Sequence, residues 1–331
     1  MQLHFNWISE SGKPGLKWQN IFKIHWPAYK SWLSTKEAGN TPSLKASQTA
    51  LKRYMPEMWS TYTRLCQLAE ADDLAARFLT GFQPPAYIRG CSQAVLVEDN
   101  IQLLRNYDHH PELTEGIQLL SSWNGNKVIS NSDCLIGVLD GMNEAGLAVS
   151  LSFGGRKAIG EGFGIPFILR YVLEFCNDVE EAVVALSRIP SHMAYNVSLV
   201  DKTGNFKTLH LAPDRSIKIT EVPFATNHQG NISWPENAEF NNTVARYAKL
   251  EKLLLNKTAN EIAEAFLKPP LYNDRFREGF GTLYTVIYNL SVGVVELRWR
   301  EESIMQTFEN FEEGERIIKL NETKNSSSIS S

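Results

Sequence analysis

From residue 91 onward the chain is written as antiparallel hairpins interrupted by pairs of helices, and that order limits its fold more than any other feature. β-prone runs at 116–123 and 127–132 flank Asn124-Gly125-Asn126, a strong hairpin turn. Runs at 134–139 and 147–153 flank Asp140-Gly141-Met142-Asn143-Glu144-Ala145-Gly146, which reads as a second turn. Further hairpins are expected around Asp201-Lys202-Thr203-Gly204 and Ser291-Val292-Gly293, and a strand at 217–221 leads through 222–226 into Asn227-His228-Gln229. Between them, 165–176 and 179–189, then 242–255 and 259–267, carry apolar residues at helical spacing. Strands, two helices, strands, two helices and strands predict an α+β fold, with two mainly antiparallel sheets sandwiched between helical layers.

Residues 1–90 are of another kind. An aromatic stripe (Trp18, Phe22, Trp26, Tyr29, Trp32) reads as helical and interrupted at Pro27. Segments 43–54, 56–69 and 72–79 read as short amphipathic helices, the last capped by Asp72 or Asp73. The prolines of Gly81-Phe82-Gln83-Pro84-Pro85 forbid a helix and predict an extended connector into residue 91. The expected division is a helical region over 1–90, an α+β domain over 91–320, and an Asn/Ser-rich tail over 321–331 expected to be disordered.

Composition narrows the partners. A formal charge of -4 offers no basic field, so nucleic acid is not an expected partner. No apolar run is long enough to span a bilayer and no signal pattern opens the chain, so no membrane partner and a cytoplasmic location are expected. Cys66, Cys91, Cys134 and Cys176 are widely spaced, and the His109-His110 doublet has no second cluster, so neither a disulfide framework, nor a metal site, nor a cofactor is expected.

The chemistry is expected at the first hairpin, where 91–97 and 101–108 flank a polar turn at Glu98 to Asn100. Antiparallel pairing about that turn brings Cys91, Arg105 and Asp108 to one end. Cys91 is read as a nucleophile, with the chain cut between Gly90 and Cys91. The α-amine freed by that cut has a pKa of about 7.7–8.0 and would take the proton of a thiol whose pKa is about 8.5. Nucleophile and base are then one residue. Glycine at position 90 tolerates the contorted peptide such a cut requires.

Gly90-Cys91 followed by Arg105-Asn106-Tyr107-Asp108 resembles the opening of penicillin V acylases, conjugated bile salt hydrolases and the autoproteolytic acyl-CoA:6-aminopenicillanate acyltransferase (C45 peptidase) group. The stretch from Asp140 to Val149, Thr226-Asn227-His228, Asn242 to Tyr247 and Gly281 to Thr285 resemble later motifs of these families, in family order. Met55-Pro56-Glu57 and its helical surroundings look like the propeptide of the acyltransferase group. The resemblance implies an N-terminal-nucleophile (Ntn) hydrolase: a four-layer αββα sandwich, preceded here by a helical propeptide.

It also implies roles. Asp108 would orient the α-amine and thiol, with Arg105 holding the carboxylates ionised. Asn227 resembles an oxyanion-hole donor, a kind of contact worth roughly 3–4 kcal/mol. Arg246 resembles an arginine that pairs within the site. Tyr107, Phe153 and Tyr284 are candidates for the acyl pocket, and His228 for a supporting hydrogen bond. Bile salt hydrolases carry an asparagine where this chain has Ser152. A serine cannot place an amide there, so neither bile salt nor penicillin V specificity is carried over.

The expected activity is cleavage of a linear amide C–N bond in a small acyl-amide, through an acyl-enzyme on Cys91. Acyl transfer from a thioester to an amine uses the same residues. A non-catalytic binding protein of this fold, or a Cys-His-Asn hydrolase using His228 without cleavage, are the alternatives. The cut chains are expected to stay associated, with a homo-oligomer possible.

Overall fold

A computed structural model of the chain describes residues 1–36, 41–87 and 90–320. The tail 321–331 therefore lies outside the described residues. The chain opens with strand β1 (Gln2–Glu10) and helix α1 (Leu16–Lys36), which continues through Pro27 rather than breaking there. Helices α2 (Leu44–Tyr54), α3 (Trp59–Leu68) and α4 (Asp73–Phe78) follow. Asp72 caps α4 by accepting from the Ala75 N–H at 2.8 Å.

The hairpin comes next, β2 (Gly90–Val97) and β3 (Ile101–His109), with Gly90 opposite Asp108 and Cys91 opposite Tyr107. Then come β4 (Ile117–Ser121), β5 (Val128–Asp133), β6 (Gly137–Asn143) and β7 (Leu147–Phe153). Helices α5 (Ile165–Phe175) and α6 (Val179–Arg188) precede β8 (Tyr195–Asp201), β9 (Phe206–Leu211), β10 (Lys218–Thr220) and β11 (Phe224–Ala225). Helices α7 (Pro235–Phe240), α8 (Thr243–Asn256) and α9 (Ala259–Phe266) lead into β12 (Gly281–Asn289), β13 (Val294–Arg298), β14 (Ser303–Thr307) and β15 (Gly314–Lys319).

One sheet runs β10-β9-β8-β7-β6-β5-β4-β1-β15 and the other β11-β2-β3-β12-β13-β14. Among the described residues every pairing of these strands is antiparallel except β1 with β4. Helices α5 and α6 cover the outer face of the first sheet. Helices α8 and α9 cover the second through a separate apolar cluster of Leu96, Leu104, Leu250, Ile262 and Phe266. The layers are helix, sheet, sheet and helix, as expected.

Two expectations are corrected. Asp140 to Asn143 belong to β6, and the turn is confined to Glu144–Gly146, while Cys134 and Leu135 bend at positive φ (55° and 69°) before the strand begins. Gly141 lies inside the strand because a Cβ there would come within 2.7 Å of Leu173 on α5. The N-terminal region is also not wholly helical, since β1 lies between β4 and β15.

Strand β1 reaches the central core. Phe5 packs against Trp7, Tyr284 and Trp299 at centroid distances of 5.0, 6.1 and 5.6 Å, joining the N-terminal strand to β12 and β13. Phe5→Ala should therefore cost about 3–5 kcal/mol in denaturant unfolding. Ile24→Ala, on the exposed side of α1, should stay within about 0.5 kcal/mol.

Candidate active site

The two sheets meet face to face at the hairpin. Ser150 Oγ on β7 donates to Gln93 Oε1 at 2.7 Å, and Arg105 Nε donates to the Leu151 carbonyl at 3.0 Å. Strand alternation then turns Cys91, Gln93, Arg105 and Tyr107 into the gap between the sheets. Asn106 and Asp108 face the other way, toward α8 and α9, where Asn106 Nδ2 donates to the Phe266 and Leu271 carbonyls.

Cys91 is fully buried and held at three points. Its Sγ accepts from Arg105 Nη2 at 3.1 Å, its N–H donates to Asn227 Oδ1 at 3.0 Å, and its carbonyl accepts from Arg246 Nη1 at 2.5 Å. These partners come from β3, from the segment after β11 and from α8. Burial pushes the thiol pKa up, the Arg105 and Arg246 charges pull it down, and Asp108 pushes it up again.

The ion-pair partner of Arg105 is Asp140, and Arg105 acts on Asp108 only through its charge at a distance. Asp140 Oδ2 accepts from Arg105 Nη1 and from Tyr284 Oη at 2.8 Å, while Oδ1 accepts from Asn131 Nδ2 at 2.5 Å and Tyr288 Oη at 2.6 Å. Burial works against the Arg105 charge, but Cys91 and Asp140 more than offset it, so the guanidinium stays ionised. Reading Asp140 as a turn residue hides this role. The Asn131 amide comes from directly opposite Asp140 in the β5–β6 hairpin, whereas the Tyr288 hydroxyl is a long-range partner with no local signal.

Asp108, on the opposite face from the thiol, accepts from Thr282 Oγ1 at 2.7 Å and lies 3.8 Å from Arg246 Nη1. Burial raises its pKa against the pull of Arg246 and the Thr282 hydrogen bond. Arg246 also donates to Ser92 Oγ at 2.8 Å and to Asn227 Oδ1 at 2.6 Å. At Gly90 a Cβ would lie 2.6 Å from Phe280 and 3.0 Å from the Asp108 Cβ, so packing alone demands glycine before the cysteine.

The remaining expected residues surround this centre. Asn227 Nδ2 donates to the Phe153 carbonyl at 3.2 Å, so its oxygen rather than its nitrogen faces Cys91. Phe153 itself packs on Tyr195 and Trp234. Tyr107 lies under the Arg105 guanidinium at 4.9 Å and beside Tyr284, and both tyrosines are buried. Ser152 Oγ donates to the Thr226 carbonyl at 2.8 Å. His228 is bonded through Nδ1 to Thr243 Oγ1 at 2.9 Å and packs against Tyr247 with the rings tilted by 54°. Burial and Arg246 hold its pKa low, and its Nδ1 is engaged by Thr226 Oγ1 and Thr243 Oγ1. Among the described residues no group of three or more His, Cys, Asp or Glu is arranged to hold a metal. Among them, too, no helix is long and apolar enough to cross a membrane.

Residues 96–303 match the family described as acyl-coenzyme A:6-aminopenicillanic acid acyl-transferase. The chain belongs to this family. The matched span begins just past Cys91 and contains Arg105, Asp108, Asp140, Asn227 and Arg246. No curated protein matches the chain. Among solved structures, a mutant of the conjugated bile acid hydrolase from Clostridium perfringens is 14% identical with a TM-score of 0.46, covering 70% of this chain and 97% of its own. The Caenorhabditis elegans ortholog of N-acylethanolamine-hydrolyzing acid amidase is 17% identical with a TM-score of 0.45, covering 70% and 100%. Penicillin V acylase from Agrobacterium tumefaciens is 16% identical with a TM-score of 0.39, covering 65% and 84%.

For this acyltransferase-family member the charges beside the thiol give opposite expectations. Arg105→Leu removes a cation that favours the thiolate, so the pH of thiolate formation should rise. Asp140→Asn leaves Arg105 unbalanced, so that pH should fall, while stability drops by about 3–5 kcal/mol. Thiolate ultraviolet absorbance against pH, referenced to Cys91→Ala, checks both signs.

Proposed function

We propose that the protein is an autoprocessed Ntn cysteine amidohydrolase, which frees Cys91 by cutting the Gly90–Cys91 bond and then cleaves a linear amide of a small acyl-amide. The observation that carries this reading is the convergence on one residue: Arg105 at the thiol, Asn227 at the nitrogen and Arg246 at the carbonyl of Cys91.

In the first stage Cys91 Sγ attacks the Gly90 carbonyl carbon, and the C–N bond to Cys91 breaks as its nitrogen takes up a proton. Water then hydrolyses the Gly90 thioester, leaving a carboxylate on Gly90 and a free α-amine on Cys91. Departure of Gly90, which sits opposite Asp108 in the ladder, opens the space in which the Asp108 carboxylate meets the new amine. An ionised Asp108 favours the ammonium form after proton transfer from the thiol.

In turnover the α-amine takes the thiol proton, Sγ adds to the substrate carbonyl, and the ammonium returns the proton to the leaving amine. An acyl thioester remains on Cys91. Water, deprotonated by the same amine, releases the acid and restores the thiol. Asn227, already fixed beside Cys91, would turn its amide N–H toward the oxyanion. The N-terminal region would stay bound after the cut, because β1 is hydrogen-bonded between β4 and β15 and Trp18 is buried with its Nε1 on the Leu135 carbonyl.

A second reading is favoured by the family's own description, which is of acyl transfer. An amine in place of water at the acyl-enzyme would complete it, with the same residues in the same roles.

Denaturing intact-mass analysis tests the first stage. Wild type should give fragments 1–90 and 91–331, and Cys91→Ala one uncut chain. Gly90→Val should cut at least tenfold more slowly, because its side chain collides with Phe280. An uncut wild-type chain would remove the α-amine from the mechanism. Screening processed enzyme with acyl-amides, and with thioesters plus amines, then separates hydrolysis from transfer.

A further inference from the structure

We infer that Asn196, the residue opposite Ser152 in the β7–β8 ladder, is a positioning residue that fixes the segment carrying Asn227 against Cys91; this rests on the proposed role of Cys91. Its buried Nδ2 has three acceptors: Ser152 Oγ at 3.2 Å, the Thr226 carbonyl at 2.8 Å and the His228 carbonyl at 3.1 Å. The last two flank Asn227 on either side. Ser152 Oγ adds its own bond to the Thr226 carbonyl.

Thr243, at the start of α8, grips the same segment from the other direction. Its Oγ1 accepts from the Asn227 N–H at 2.7 Å and pairs with Thr226 Oγ1 at 2.8 Å. Residues 226–228 are therefore clamped between α8 and the β7–β8 ladder. The clamped segment meets the cysteine directly: Cys91, second residue of β2, donates its N–H to Asn227 Oδ1, and two residues further along the strand Gln93 bonds Ser150 on β7.

A second observation separates this from ordinary packing. Asn196 Oδ1 is buried and has no hydrogen-bond partner, a costly state for a residue kept only to fill space. A serine or small apolar residue would avoid that cost. What only the amide provides is a donor long enough to span from β8 to both carbonyls.

The test uses the full chain with Asn196→Ser, Asn196→Asp, which keeps the shape but loses the donor, and the double variant S152N/N196S, which moves the amide across the ladder. Hydrogen exchange at residues 226–229 needs no activity and is read first. It should speed up about tenfold in both single variants and return toward wild type in the double. In processed enzyme kcat should fall about tenfold in the single variants with KM little changed, and recover in the double. Unchanged exchange in folded Asn196→Ser and Asn196→Asp, or a double variant no better than Asn196→Ser in both readouts, would overturn the inference. A wild type that neither cuts itself nor turns over any amide is instead a failure of the proposed function, and exchange still decides the clamp.

Discussion

The buried ion pair of Arg105 with Asp140 is the contact on which the rest of the site depends. One guanidinium reaches Asp140 on β6, the Leu151 carbonyl on β7 and the Cys91 thiol on β2, so it ties the two sheets together at Cys91. Taking both charges out of water is costly, and apolar residues of the same volume would serve stability as well or better. The pair is sustained because every direction around the carboxylate is filled, by Arg105, Tyr284, Asn131 and Tyr288. What it provides that an apolar pair could not is a fixed positive charge against sulfur, balanced so that the protonated thiol is also tolerated. That points to chemistry rather than stability as its purpose.

The same geometry explains why the N-terminal region is more than a cover. Strand β1 places Phe5 against Tyr284, the tyrosine that donates to Asp140, so a residue near the start of the chain buttresses the surroundings of Cys91. The buried Cys91 lies at the end of the connector from this region. A cavity of about 230 Å³ between α1 and the loop after β3, lined by Trp32, Tyr87, His109 and Leu113, approaches that end of the hairpin without including Cys91. In the proposed account, the cut between Gly90 and Cys91 creates the base beside this end of the hairpin.

Much of this is legible in the sequence, for local reasons. The β2–β3 hairpin follows from two β-prone runs and a polar turn, and with the register known Cys91, Gly90 and Asp108 fall at one end. Helices α5, α6, α8 and α9 follow from apolar spacing. The failures are also physical. Asp140-Gly141-Met142-Asn143 has turn composition, yet it is a strand because neighbours on both sides pair with it and α5 needs Gly141 to approach. Strand β1 does carry a signal, the alternation of Leu3, Phe5 and Trp7 with polar residues, but it is short and overshadowed by the helical stretch that follows. Alternation places Asp108 opposite to Cys91 and Arg105, whereas the Arg105 partner lies 35 positions away, beyond any local pattern. Asn196 cannot be singled out from sequence, since its partners come from residues 152, 226 and 228.

The central claim is that Cys91 carries the acyl group, and the most direct measurement is to catch it there. Processed enzyme would be mixed with a reactive acyl thioester, quenched in acid within the first turnover, and digested with pepsin at low pH, where the protonated α-amine cannot take the acyl group from sulfur, for peptide mass mapping. One acyl group is expected on the peptide that begins at Cys91, removable by hydroxylamine as a thioester must be. An acyl group on Cys66, Cys134 or Cys176, or turnover of substrate with Cys91 unmodified and replaceable by alanine, would contradict it.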